Sequence, residues 1–257
     1  MAKLDALLMP SAVAPSPDTP FQALVDPGIR LRQTVDAINF WVRRAERFNF
    51  RVMVVDNTSY AKQIRAALPK RISKSDLLEI HDVPQQSIQD IKRGKGAGET
   101  STLIQGLARL DLSQEAIVAK VNARYKTTNG LYLIDELEDD FDFAAWPRPY
   151  LDSVDTTFFA GKARFLKSAF DFVYLETDDL KEKFVENLYA DYSIRNPSCR
   201  FQRFSYSPAI KGQSGTTGSA ASALNEFRIV SFIVRLRKQS RKTLSFIKPS
   251  YQRRSKK

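Results

Sequence analysis

Cysteine and histidine are almost missing from this 257-residue chain: it has one of each, Cys199 and His81. A single cysteine excludes an internal disulfide and points to a reducing compartment. One histidine and one cysteine also exclude a zinc pattern or a multi-histidine metal centre. No Ser-His-Asp or Cys-His arrangement is evident, and His81 reads as a partly exposed polar residue after a strand. Long apolar runs are missing as well. The opening MAKLDALLMPSAVAPSP holds a short apolar segment. It is too short to span a bilayer and lacks the order of a secretory signal. There is no internal repeat.

Acidic residues are missing from 227–257, where eleven of the 40 Lys and Arg residues fall. The other 29 basic residues meet 29 acidic ones. The net charge of +11 therefore belongs to the tail, and the body is neutral. This distribution argues against a nucleic-acid partner, although a neutral body can still hold a local basic groove. Within the tail, Ile229, Ile233, Leu236, Leu244 and Ile247 fit one helical face, with Arg228, Arg235, Lys238 and Lys242 interleaved. A basic amphipathic helix suits an anionic membrane surface. Two regions follow: a body of 1–226 and a basic tail of 227–257.

The body alternates strand and helix patterns. Residues 4–13 read as a short buried strand and 14–27 as a Pro-rich irregular stretch. Ile29 through Val42 repeat at helical spacing. FRVMVVDNTS (50–59) has a continuous apolar run ending at Asp56-Asn57, as expected of a central parallel strand. A short helix at 60–68 and a strand at 77–80 follow. Residues 91–110 read as a glycine-containing loop entering a helix, AIVAKV (116–121) as a strand, and LYLI (131–134) as another. Residues 135–153 and 205–219 read as loops, 156–160 as a strand, and the rest of 155–190 as mostly helical. This order predicts an α/β fold with an open, mostly parallel sheet flanked by helices. Ligands bind such sheets at the carboxyl ends of the strands.

Several clusters at those ends carry chemical groups. Lys95-Gly96-Ala97-Gly98-Glu99 opens a helix, where exposed amides favour an anion. Lys120 interrupts an apolar strand and requires a partner. Arg124, in Lys120-Val-Asn-Ala-Arg124-Tyr125, offers a planar fork to a phosphate. Ser214-Gly215 lies in a small polar loop suited to a diphosphate or to a plain linker. Asp155 and Glu186 are candidate general bases. Asp140-Phe141-Asp142 is a literal Asp-x-Asp in an acidic loop and reads as a solvated run.

In their shared order these residues resemble a group of bacterial GT-A-like glycosyltransferases encoded with surface-polysaccharide (O-antigen or capsule) genes. The resemblance runs through Ser11-Ala12-Val13-Ala14-Pro15, Asp26-Pro27-x-x-Arg30-Leu31 and Ala37-Ile38-x-Phe40-Trp41. It continues through Val54-Val55-Asp56-Asn57-Thr58, Lys95-Gly96-x-Gly98-Glu99 and Lys120 to Tyr125 with Asn129. It ends with Asp155-Thr156-x-Phe158-Phe159, Glu186-Asn187-x-Tyr189 and Gly212-x-Ser214-Gly215. It implies a GT-A-like, Rossmann-type fold and a transferase that moves a sugar from a nucleotide-sugar donor to a glycan or lipid-linked glycan acceptor. Asp56, Asn57, Lys95, Gly96, Gly98, Glu99, Lys120, Arg124, Tyr125, Asn129, Ser214 and Gly215 would contact the donor. Asp155 or Glu186 would be the base. Lys120 through Tyr125 occupy the place of the family's usual Asp-x-Asp. No metal ligand is assigned, a divalent ion (Mg or Mn) stays open, and Lys120, Arg124 and Lys95 would supply the positive charge. The expected location is cytoplasmic, at the inner face of the cell membrane. The competing expectations are a non-catalytic nucleic-acid binder using the tail, and an inactive scaffold relative.

Overall fold

The computed structural model describes residues 3–20, 23–85, 87–213 and 220–222. The chain divides into two units, Met1–Ala221 and Ser222–Lys257; the first is described below. Its elements are β1 (Ala6–Ser11), α1 (Pro27–Phe48), β2 (Arg51–Asp56), α2 (Ala61–Ala67), α3 (Lys70–Ser73), β3 (Leu78–Asp82), α4 (Ile88–Arg93), α5 (Lys95–Arg109) and β4 (Ile117–Val121). Then come β5 (Lys126–Thr127), α6 (Gly130–Asp135), β6 (Phe143–Pro147), β7 (Val154–Lys162), α7 (Ala163–Glu176), α8 (Val185–Ser193), β8 (Phe201–Arg203) and β9 (Ile210–Gln213).

Seven strands form one sheet in the order β3-β2-β1-β4-β7-β6-β8. The pairs among β1 to β4 are parallel, as is β6 with β8, whereas β7 runs antiparallel to both β4 and β6. The expected open, mostly parallel α/β sheet flanked by helices is thus what the chain forms. The apolar runs follow from burial on both faces. In β1 and β2, Leu7, Met9, Val52 and Val54 face one core with α1 residues Ile38, Trp41 and Val42. Ala6, Leu8, Met53 and Val55 face the other core, with Leu103 of α5 and Phe170 of α7.

Helix α1 has a well-defined start. Pro27 is fixed for the first helical turn, and the Asp26 side chain accepts a bond from Ile29 N at 2.7 Å. Asn49, in the left-handed region at φ 57°, ends it. Trp41 is fully buried, donates from its indole to Tyr125 O at 3.1 Å, and stacks on Phe158 with ring centroids 6.3 Å apart. These contacts lock α1 to the middle of β7 and to the segment after β4.

Three local expectations change. LYLI is not a strand: it lies in α6, where Leu133 and Ile134 are buried. A Cβ on Gly130 would lie 2.9 Å from the Phe158 ring, so glycine lets this helix approach β7. The stretch 135–153 contains β6, whose FAAWP pairs with β7. The loop 205–219 contains β9, which pairs antiparallel with β5 outside the main sheet. Among the described residues no helix is long and apolar enough to cross a membrane.

Candidate active site

The carboxyl ends of β1, β2 and β4 open onto a cavity of about 220 Å³. Its walls come from the Pro10–Thr19 segment, Asn57 and Thr58 after β2, Lys95, Glu99 and Thr102 of α5, Asn122 after β4, and two arginines, Arg30 and Arg124. This is where a parallel sheet binds ligands.

The two arginines set its electrostatics. Both are almost completely buried. Arg30 donates from Nε to Ala12 O at 2.6 Å and from Nη1 to Leu24 O at 2.8 Å. Arg124 donates from Nη1 to Gln213 O at 3.0 Å and reaches Gln33 Oε1 at 3.5 Å. Every one of these acceptors is neutral. Burial, reinforced by the nearby Arg124 charge, pushes the Arg30 guanidinium down to about 9; Asp56 offsets part of this. Burial also lowers Arg124. Two desolvated like charges facing one cavity are unfavourable until an anion joins them. Nearby, the Ser11 hydroxyl is buried without a partner among the described residues.

Lys120 behaves differently from its expected role. It is 1% exposed, and its ammonium donates to the Glu99 carboxylate, to Asn122 Oδ1 and to Thr156 O, the last at 2.6 Å. Its three donors are therefore engaged inside the protein. The direct diphosphate contact expected of Lys120 is replaced by an internal bridge that holds Glu99 and Asn122. Asn122 Nδ2 in turn donates to Glu99 Oε2 at 3.0 Å. Burial raises the Glu99 carboxyl, but Lys120 and Lys95 outweigh it and hold the group below its ordinary value.

The glycine-containing motif is also corrected. Lys95 through Glu99 are already helical, in the first turns of α5. The Gly96 N–H donates to Asp179 Oδ2 at 3.2 Å. A protein carboxylate thus takes the place expected of a phosphate. A Cβ on Gly96 would lie 2.7 Å from Val185 and 2.9 Å from Thr177, and one on Gly94 (φ 106°) would lie 2.3 Å from Asp179. These glycines let the 177–185 segment pack against α5. Gly98 O accepts from Thr102 Oγ1 at 2.8 Å and likewise serves the helix. Of this motif, Lys95 and Glu99 line the cavity.

Asp56 is fully buried. Its oxygens accept from Thr58 N at 2.8 Å, Thr58 Oγ1 at 2.6 Å, Tyr60 N at 3.2 Å and Val13 N at 3.2 Å. It shapes the wall by holding the segment after β1, while Asn57 lines the cavity and donates to Thr102 Oγ1 at 2.9 Å. Asn129 brackets the 207–209 segment, donating to Ser207 O at 3.0 Å and accepting from Ala209 N at 2.7 Å. Tyr125 belongs to the core. Asp56, Tyr125 and Asn129 are thus positioning groups rather than wall groups. Ser214 and Gly215 lie outside the described residues.

The two candidate bases separate. Glu186, in the first turn of α8, accepts from Thr156 Oγ1 at 3.3 Å. Thr156 O receives Lys120, so Glu186 is one residue from the Glu99 cluster. The Asp155 carboxylate instead accepts from Thr157 N at 2.9 Å and from the Thr157 hydroxyl, a local turn. Asp142 of the literal Asp-x-Asp is not solvated. It is 3% exposed and accepts from Arg164 at 2.7 Å and from Arg200 N at 3.0 Å. Asp140 also pairs with Arg200. Among the described residues, no three His, Cys, Asp or Glu side chains converge as metal ligands. Residues 120–125, with a lysine ammonium between Glu99 and Asn122, do not fit a divalent ion.

The sequence matches no family model and no curated protein. Its structure is similar to solved sugar-transferase structures. One is a protein from Desulfovibrio desulfuricans provisionally named a nucleotide-diphospho-sugar transferase, with 9% identity, 79% of this chain and 80% of that chain covered, and a TM-score of 0.48. Another is the galactosyltransferase LgtC in complex with donor and acceptor sugar analogues, with 9% identity, 73% and 69% covered, and a TM-score of 0.47. An active-site mutant of LgtC gives 9% identity, 77% and 72% covered, and a TM-score of 0.46.

Arg30 was not singled out as a site residue from the sequence, although a signal for it exists. It falls on the buried stripe of α1 with Thr34, Ala37, Ile38, Trp41, Val42 and Ala45. A cation on an apolar helical face needs a reason.

Proposed function

We propose that this protein is a glycosyltransferase that takes a sugar from a nucleotide-sugar donor. The observation that carries the reading is the pair of buried arginines, held by neutral acceptors, at the carboxyl edge of a parallel sheet. A diphosphate supplies the directly bonded negative charge that this pair lacks, since Asp56 and Glu99 act on it without a hydrogen bond to either guanidinium. Positive charge placed where a leaving group becomes negative lowers the barrier. In the proposed reaction an acceptor hydroxyl oxygen bonds to the anomeric carbon. The bond from that carbon to the diphosphate oxygen breaks, and the electron pair leaves with the diphosphate toward Arg30 and Arg124. The hydroxyl proton goes to Glu186. Fixed guanidinium charge takes the role otherwise assigned to a divalent ion. The acceptor is a surface-polysaccharide glycan, lipid-linked, and the basic tail of 227–257 keeps the enzyme at the inner face of the membrane.

Calorimetry with sugar nucleotides and their diphosphates, with and without Mn²⁺, tests the reading. The expected result is diphosphate-dependent binding that Mn²⁺ does not strengthen, followed by turnover on a glycan acceptor. Absence of binding by the whole set overturns it.

A further inference from the structure

The cationic side of the cavity explains an anion but not Glu99. A carboxylate repels phosphate, yet Glu99 is held against the same space. Its side chain is 17% exposed, and Glu99 and Asn122 both line the cavity. Glu99 cannot turn away. Lys120 fixes one carboxylate oxygen and Asn122 fixes the other. Each oxygen retains acceptor capacity after those bonds. An ionised carboxylate accepts and does not donate, so it selects ligand O–H groups and rejects phosphate oxygens. On the same side of the cavity Thr102 Oγ1 receives the Asn57 amide and donates to Gly98 O.

We infer that Glu99 and Asn122 form a hydroxyl-reading wall, that the ligand presents a vicinal diol to it while its phosphates face Arg30 and Arg124, and that Lys120 is the positioning residue of that wall. This rests on the nucleotide-sugar reading and extends it to the polarity of the bound ligand. The diol comes from the ribose or from the transferred sugar, two sources of one chemistry. Lys120, with its three donors engaged, acts through Glu99 and not on the ligand.

The test compares the full native chain with Asn122→Ala and Glu99→Gln, each checked for native circular dichroism. The probes are inorganic pyrophosphate, the four ribonucleoside diphosphates, their 2′-deoxy counterparts, UDP-glucose and GDP-mannose. The expected result is pyrophosphate affinity that does not fall, held in Asn122→Ala and held or raised in Glu99→Gln, which removes a repelling charge, and a roughly 10- to 100-fold loss for the ribonucleoside diphosphates or the sugar nucleotides, the range of one charge-assisted hydrogen bond. If the ribose is read, the loss disappears with the 2′-deoxy compounds. If the hexose is read, the loss appears only with the sugar nucleotides. Pyrophosphate losing affinity as much as the other probes overturns the wall, because the residues then serve the phosphates. Native affinity for every probe in both variants overturns it too. A native chain that binds none of the probes overturns the nucleotide-sugar reading as well, a separate outcome.

Lys120→Met adds a readout that a merely structural lysine would not change. Without Lys120, burial raises the Glu99 carboxyl, which then takes a proton at higher pH. Affinity for the diol-bearing probe, relative to native, falls as pH is lowered, while relative pyrophosphate affinity does not fall. A flat ratio for both probes removes Lys120 from this role.

Discussion

Arg124 shows how a residue's cost and its use can be one fact. Its guanidinium is buried beside Arg30 and bonded to neutral acceptors. Without an anion bonded to it, that charge is a liability. Arg124→Met keeps much of the side chain's length, removes one of the two repelling charges and leaves no charge to satisfy. The variant is expected to unfold at the native temperature or a few degrees above it. Its affinity for pyrophosphate is expected to drop about 10- to 100-fold, from loss of charge-assisted bonds worth about 1.5–3 kcal/mol. A melting curve and a titration on the same sample check both halves. A strongly destabilised variant with intact binding would show that Arg124 is a structural strut. The linkage has a sign as well. Arg30 is lowered to about 9, so its charge is complete well below that pH and is lost progressively as pH rises through it. Anion affinity is expected to fall as pH rises through about 9, checked by pyrophosphate titrations from pH 7 to 10. Of the two arginines, Arg124 was legible from sequence because it follows a strand. Arg30 was hidden inside a helix pattern that reads equally well as packing.

At the scale of elements, Gly96 separates the packing account from the ligand account. Within α5 its missing Cβ leaves room for Val185 and Thr177. Gly96→Ala is expected to cost about 1–3 kcal/mol through this overlap, read by urea unfolding. Pyrophosphate affinity should stay near native, since Asp179 already occupies that helix end. A large loss of affinity with native stability would restore the anion-loop reading. The strands were legible where the physics is local. The run Val52–Val55 is apolar because both sheet faces are covered, and periodicity shows that directly. LYLI misled because four apolar residues suit either element, and what makes them helical is the close approach of Gly130 to Phe158 and Trp41. FAAWP was passed over because acids and prolines surround it, and Asp142 is held by Arg164 and Arg200, which lie 22 and 58 residues away. Partners that distant in the chain are set by topology, and no spacing rule reports them. Lys120 lies between these cases. Its position in an apolar strand showed that it needed a partner, but Glu99 as that partner appears only once α5 packs on the sheet over β1 and β2.

For the whole molecule, the charge division sets the last prediction. The body of 1–226 is neutral, while 227–257 carries eleven Lys and Arg residues with no acid. The proposed chemistry rests on cations of the body, and the proposed membrane contact rests on those of the tail. The tail's cations are each worth about 1 kcal/mol near an anionic leaflet and are weakened by salt. Vesicles containing anionic lipid are expected to co-sediment the full chain, and a chain ending at Glu226 should stay in the supernatant. Raising salt from about 0.1 M to 1 M shortens the screening length from about 10 Å to 3 Å and should release most of the bound full chain. Sugar-nucleotide affinity should be equal for the two chains, because the Arg30 and Arg124 pair is complete without the tail. Equal sedimentation of both chains would move the membrane contact onto the body. Loss of sugar-nucleotide affinity on truncation would mean instead that the tail contributes to the cavity, joining the two functions that the charge distribution separates.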